Sequence, residues 1–226
     1  MNTLYKHLTN TFILYIFLVL INCANKDCVT KKSLNQNETL SGTGYSNKKS
    51  INFITDFIAL HEDGDINVVI EIPSGTREKW EVDKSDGTLQ LTFLDSLPRI
   101  VNYLGYPCNY GMIPQTLLPK KFGGEGDPLD VIVLGDPLAR GSVVKCKLLG
   151  VLYLMDHGEK DDKLIAAKQR TPFYNFDGLE ALDENYIGII EILQLRFTNY
   201  KGAGKIKWNW KSRCRYDNSQ FSRQSL

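Results

Sequence analysis

The sequence predicts an α+β domain, a small closed β-barrel flanked by C-terminal helices. Two observations carry this. Short apolar strands separated by turns recur from about residue 66, while helical periodicity appears only after about residue 177. The 226-residue length suits one domain with a sizeable core plus extra segments.

The elements follow in order. Val68-Val69-Ile70-Glu71-Ile72 is a strand stopped by Pro73. Trp80-Glu81-Val82-Asp83 alternates apolar with acidic residues, and Ser85-Asp86-Gly87 turns the chain into Leu89–Phe93. Val131–Leu134 is fully apolar. Ser142–Met155 is a long strand in which Gly150 marks a bend or bulge. Lys163–Ala167 is another strand. Asp177 can cap a short helix through Leu179 and Leu182. In a longer helix, Tyr186, Ile190, Leu193 and Phe197 share one face.

The N-terminus has a different character. Lys6 and His7 precede the apolar run Phe12–Ile21, which is shorter than the roughly 20 residues a membrane-spanning helix needs. This reads as a signal peptide over residues 1–22. Leu20-Ile21-Asn22-Cys23 resembles a bacterial lipobox, although Asn22 departs from the usual small residue. Cys23 is the expected lipidation site, which places the protein outside the cytoplasm, anchored in the cell envelope on the periplasmic side. Residues 23–50, rich in Asn, Lys, Ser and Thr, read as a flexible tether before a domain spanning 51–226.

Composition excludes several function classes. A net charge of +1 argues against bulk attraction to nucleic acid. The histidines are scattered and the five cysteines show no ligand spacing, which argues against zinc. Cys146, on the Val144/Leu148 face of a strand, reads as a small core residue.

The chemistry concentrates in GGEGDPLDVIVLGD, residues 123–136. Glu125, Asp127 and Asp130 stand within six positions beside glycines and Pro128. Like charges so close repel unless something positive sits among them, and oxygen donors on a stiff loop suit a hard cation such as Mg²⁺ or Ca²⁺. Taken alone, the stretch reads slightly better as a solvated acidic turn. A second acidic segment, Asp156–Asp162, shifts the balance, because a barrel can bring Asp156 and Asp161 opposite the first cluster. Several divalent ions around one cavity suit phosphoryl hydrolysis. Cationic and hydroxyl donors for phosphate stand at Lys79, Arg99, Tyr106, Tyr110, Lys163, Tyr200 and Lys201. Each of these has an ordinary reading of its own, as a solvated strand end, a surface charge or core filling.

From about residue 66 to 201 the chain resembles the family I soluble inorganic pyrophosphatases. Glu71-Ile72-Pro73, Lys79-Trp80-Glu81, Tyr106–Gly111, Gly126–Val131, Gly150-Val151-Leu152 and Tyr200-Lys201 match in order and spacing. The resemblance implies a five-stranded OB-like barrel. It also implies Mg²⁺-dependent hydrolysis of pyrophosphate by a metal-activated water; the longer reach of Glu125 makes the larger Mn²⁺ a second fit. Carried over by motif, Asp127 is the general base. Glu125, Asp130, Asp156 and Asp161 are metal carboxylates, with Glu81 and Glu71 in the outer part of the site. Lys79, Arg99, Tyr106, Tyr110, Lys163, Tyr200 and Lys201 bind substrate. A homo-oligomer is expected, as is membrane contact only through the lipid anchor. Glu125 stands where the family usually has Asp, which leaves open a non-catalytic protein that keeps the fold and binds metal or phosphate. After Lys201 the sequence shows no apolar stripe for the usual closing helix, and reads as a frayed tail.

Overall fold

The computed structural model describes residues 51–118 and 126–208. The predicted signal peptide, the tether, Cys23, Glu125 and the tail beyond residue 208 lie outside the described residues. The strands are β1 (Ile66–Ile72), β2 (Trp80–Val82), β3 (Leu89–Leu91), β4 (Phe93–Leu94), β5 (Leu97–Pro98), β6 (Asn109–Met112), β7 (Asp130–Leu134), β8 (Val143–Leu152), β9 (Leu154–Asp156), β10 (Glu159–Lys160), β11 (Lys163–Lys168) and β12 (Ile206–Trp208). Two α-helices follow the barrel, α1 (Leu179–Asn185) and α2 (Ile189–Asn199), with a 3₁₀ turn at Pro172–Asn175.

Five strands close the predicted barrel in the order β1-β6-β7-β11-β8. Closure pairs every strand on both sides and leaves no sticky edge. All pairings are antiparallel except β7 with β11, which run parallel with Leu164 opposite Val131. The apolar run of β7 is explained by its surroundings. Val131 and Val133 meet Ile66, Val68, Ile70 and Ala166 inside the barrel, while Ile132 and Leu134 pack with Ile165, Ala167, Leu182, Leu193 and Phe197 under the helices. Alternate residues therefore serve two cores, so no position from Val131 to Leu134 is free to be polar. Cys146 is buried in the barrel core as expected, and both it and Cys108 are free thiols.

Two glycines act by admitting a neighbour. A Cβ on Gly111 would lie 1.8 Å from the Val69 carbonyl oxygen, so β6 can approach β1 only without a side chain there. A Cβ on Gly150 would lie 2.5 Å from the Leu179 side chain. The register beside Gly150 shifts between Ile165 and Ala166, which is the predicted bulge.

The structure corrects four local expectations. β2 and β3 form a separate hairpin outside the barrel. Their continuation breaks at Thr92, whose N–H and hydroxyl both donate to the Lys79 carbonyl at 2.9 Å, and Phe93 starts a second hairpin turned at Asp95-Ser96. The missing barrel strand is β6, inside the Tyr106–Gly111 motif. Asp177 does not cap α1. Gly178 takes that position with no side-chain bond, and the Asp177 carboxylate pairs with Lys147 Nζ at 3.2 Å. Tyr186 is not in the longer helix. Gly188, at φ +94°, separates α1 from α2, and the Tyr186 ring packs edge-on against Phe173 and Phe176.

Candidate active site

The parallel pairing of β7 with β11 builds the centre of the site. Both strands start at the same end of the barrel, so their first residues, Asp130 and Lys163, stand side by side. Lys163 Nζ donates to Asp130 and, at 2.6 Å, to Asp161. Burial works to lower the Lys163 pKa, but the two carboxylates outweigh it and hold the ammonium above its ordinary value. Asp130 mirrors this. Burial pushes its pKa up, but Lys163, Lys79 and the Tyr110 hydroxyl bring it below the ordinary value.

Tyr110, from β6, forms the floor. Its buried ring lies 5.2 Å from Lys79 Nζ and 5.8 Å from Lys163 Nζ, and burial raises its pKa well above the ordinary value. Lys79 precedes β2 and pairs with Glu81 at 3.0 Å. On the opposite side, the β9–β10 hairpin turns at His157-Gly158, both at positive φ, and presents Asp156. Asp156 accepts from Lys201, at the C-terminal end of α2, and from His157 Nδ1 at 2.7 Å. Burial raises the Asp156 pKa, but Lys201 outweighs it and the net shift is downward. Asp127 pairs with Lys84.

These groups line one cavity of about 480 Å³. Asp127, Asp130, Asp156, Asp161, Glu81, Glu71, Lys79, Arg99, Tyr106, Tyr110, Lys163, Tyr200 and Lys201 are all on its wall, so every described residue of the expected set converges there. The wall also carries Lys84, Glu159, Lys160 and Asp162, which sequence reasoning missed. Their signal is proximity to the motifs: Lys84 sits in the turn after Trp80–Val82, and the other three belong to the Asp156–Lys163 segment.

The family model for inorganic pyrophosphatase matches residues 68–225. The chain belongs to the inorganic pyrophosphatase family. A pyrophosphatase of Rickettsia prowazekii is 38% identical over 162 residues, covering 69% of this chain and 86% of the relative. One from Xylella fastidiosa is 38% identical over 146 residues, covering 64% of this chain and 76% of the relative. Among solved structures, the pyrophosphatase of Schistosoma japonicum superposes with a TM-score of 0.68 at 24% identity, over 76% of this chain and 67% of its own. That of Neisseria gonorrhoeae superposes with a TM-score of 0.54 at 30% identity, over 69% of this chain and 86% of its own.

The donor chemistry of this pyrophosphatase-family site fits divalent cations. Among the described residues, carboxylates other than the buried Glu71 still outnumber cationic side chains on the wall, seven to six, so the wall alone offers a phosphate anion no net attraction. All the carboxylate donors are hard oxygens. No three described carboxylates converge on one point as a ready coordination sphere. Ammonium groups stand among them instead: Lys84 on Asp127, Lys163 on Asp130 and Asp161, and Lys201 on Asp156.

Glu71 is the most deeply buried carboxylate of the wall. It is 5% exposed and accepts the Val82 N–H at 2.8 Å. Burial lifts its pKa to about 8 against the pull of Lys79. Burial therefore favours the proton on Glu71 in the metal-free protein. The unfolded chain ionises near 4.5 and the folded protein only near 8, so the folded state holds the extra proton between those values. Its stabilising contribution is complete below the lower value and is lost as pH rises through the upper one. Glu71→Gln keeps the shape without the titration. In metal-free thermal unfolding from about pH 5 to pH 9, the wild type should lose more Tm than the variant. Parallel curves would show that Glu71 is already ionised at neutral pH.

Proposed function

We propose that this protein hydrolyses inorganic pyrophosphate to two phosphates, and that Mg²⁺ serves it, with Mn²⁺ the second fit. The observation that supports this most directly is the convergence of the expected carboxylates, lysines and tyrosines on one cavity wall. The family's relatives carry the name of this activity. No observation favours the non-catalytic alternative.

The chain's own residues divide the work. Asp130, Asp156, Asp161 and Glu81 would hold divalent cations, with Glu125 joining them by motif. Bound there, such cations would weaken water's hold on its proton and neutralise phosphate charge. Asp127, half exposed on the cavity wall and paired with Lys84, would accept the proton of the attacking water. The water oxygen bonds to one phosphorus, the bridging P–O bond breaks, and the second phosphate leaves with the electron pair. Lys79, Arg99, Lys163 and Lys201 offset charge on the phosphoryl oxygens, while Tyr106, Tyr110 and Tyr200 offer hydroxyl donors. Fixed charges of this kind supply most of the catalysis in phosphoryl transfer. The deciding measurement is phosphate release from pyrophosphate with Mg²⁺ and with chelator. No release with Mg²⁺ would defeat the reading.

The same proposal includes export and a lipid anchor, supported by Phe12–Ile21 and Cys23. Cys23→Ser should move the protein from the membrane to the soluble fraction of a bacterial host. A wild type already soluble, with no acyl chain by mass spectrometry, would refute the anchor. A homo-oligomer is also part of the proposal. The exposed apolar side chains Phe93, Leu94, Leu97 and Leu104 on and near the β4–β5 hairpin support it, and sedimentation as a monomer would count against it.

A further inference from the structure

Arg196 is a buried charged group next to the site that the mechanism above leaves unused. It sits on the buried face of α2 with Leu193 and Phe197 and is 4% exposed. Its Nε, Nη1 and Nη2 atoms have no hydrogen-bond partner among the described residues. Aromatic rings surround it instead. Its guanidinium lies 4.6 Å from the Tyr106 ring centroid, 4.9 Å from Tyr200, 5.2 Å from Tyr103 and 5.8 Å from Phe197. Ring faces attract a cation, but they leave its N–H groups unsatisfied.

An unpaired buried charge is among the costliest features a fold can carry, and an apolar side chain of the same length would remove that cost. The cage is therefore poorly explained as a stabilising device. Its position offers another explanation. Tyr106, Phe197 and Tyr200 stand on the cavity wall and Arg196 lies directly behind them. Tyr106 is also coupled electrostatically to Lys79, so cations act on it from two directions. The chain spacing sets this up. Arg196 and Tyr200 are four residues apart, one helical turn, and the Tyr200 N–H closes on the Arg196 carbonyl at 3.2 Å.

We propose that Arg196 is a positioning residue for a phosphate group. It holds the Tyr106 and Tyr200 rings against the cavity, and its charge acts through them on a phosphate end bound between their hydroxyls. The inference rests on reading the cavity as a pyrophosphate site. An anion on the far side of the rings would then be the counter-charge that the guanidinium lacks.

The test compares Arg196→Met, close in length but uncharged, with Arg196→Lys, which keeps the charge. Three quantities are read: the dissociation constant for inorganic phosphate by calorimetry with Mg²⁺, the kcat and KM for pyrophosphate, and Tm. Arg196→Met should weaken phosphate binding and raise KM by roughly tenfold, the order expected of a unit charge about 10 Å away at an effective dielectric constant of about 20. Its kcat should change much less, and its Tm should hold or rise because the buried charge is gone. Arg196→Lys should recover most of the affinity. If Arg196→Met does not fold, Arg196→Gln should show the same loss of affinity. Unchanged phosphate affinity in the neutral variant overturns the inference. So does a loss of affinity that follows a falling Tm and is not recovered by Lys. A wild type that binds phosphate but releases none from pyrophosphate would defeat the hydrolase reading, while the phosphate titration would still decide the role of Arg196.

Discussion

Asp127→Asn should lower pyrophosphate turnover by about 10²–10⁴-fold with little change in Tm. The side chain is about half exposed and its ion-pair partner Lys84 is more exposed still, so the pair contributes little to folding. Asn fills the same volume and can still accept a hydrogen bond. It has no basic site that can take a proton from water. The two effects should therefore separate, with the fold intact and the chemistry lost. Turnover within a few-fold of wild type, with an unaltered circular dichroism spectrum, would remove Asp127 from its role and direct attention to the other carboxylates on the wall.

That separation is available because catalytic and structural charges occupy different depths in this site. Asp127 is half exposed on the wall, before β7 begins. Asp130 is three residues further on, where the strand enters the wall, and it is tied to Lys163 and Tyr110. The spacing of the Gly-Asp-Pro-Leu-Asp segment therefore sets which carboxylate can move and which cannot. Pro128 fixes the backbone between them, and the Leu129 N–H is anchored on the Thr116 hydroxyl at 3.0 Å.

Much of this architecture is legible in the sequence because its signals are local. The apolar run of β7, the Gly150 bulge and the acidic β9–β10 hairpin all declare themselves within a few residues. The strand β6 does not. Asn109-Tyr110-Gly111-Met112 is short and carries polar and glycine residues that read as a loop. It becomes a strand because Gly111 admits the Val69 carbonyl, and because Asn109 is held from three sides. Its Oδ1 accepts from Ser74 and Leu138, and its Nδ2 donates to the Asp136 carbonyl. Those partners are remote in sequence. The split between α1 and α2 is hidden for a related reason. Tyr186 continues the apolar period of α2 while packing on Phe173 and Phe176, and its own non-helical backbone together with the positive φ of Gly188 separates the two helices. The pocket residues that the motifs carry are visible as residue types. Their electrostatic states are not. The burial of Glu71 and the cage around Arg196 depend on what the closed barrel and α2 bring from elsewhere in the chain.

Lys163→Met should lower both stability and substrate binding, and the stability loss should depend on pH and on metal. Lys163 is 3% exposed and its ammonium lies between Asp130 and Asp161, whose side chains remain 32% and 27% exposed. Removing one partner of a fully buried pair costs about 3–5 kcal/mol, because the other charge is stranded. The partial exposure of both carboxylates brings the expected loss at neutral pH down to about 2–3 kcal/mol. The sign with pH follows from the carboxylate. Asp130 has its pKa lowered in the folded protein, so the stability it gains from Lys163 is present above its ordinary value of 3.8 and is lost as pH falls through the depressed one. In the variant that gain is absent, and the stranded carboxylates are relieved by protonation instead. The Tm gap between wild type and Lys163→Met should therefore be wide near pH 7 and narrow as pH falls below the ordinary value of 3.8. A divalent cation should narrow it at neutral pH, since it can take the place the ammonium leaves between the two carboxylates. Adding Asp161→Asn to Lys163→Met should recover part of the lost stability without recovering turnover. Thermal unfolding at neutral and at acid pH, with and without Mg²⁺, distinguishes the causes. A Tm gap that ignores pH, metal and the second substitution would mean that Lys163 acts by packing its stem rather than by holding the two carboxylates together.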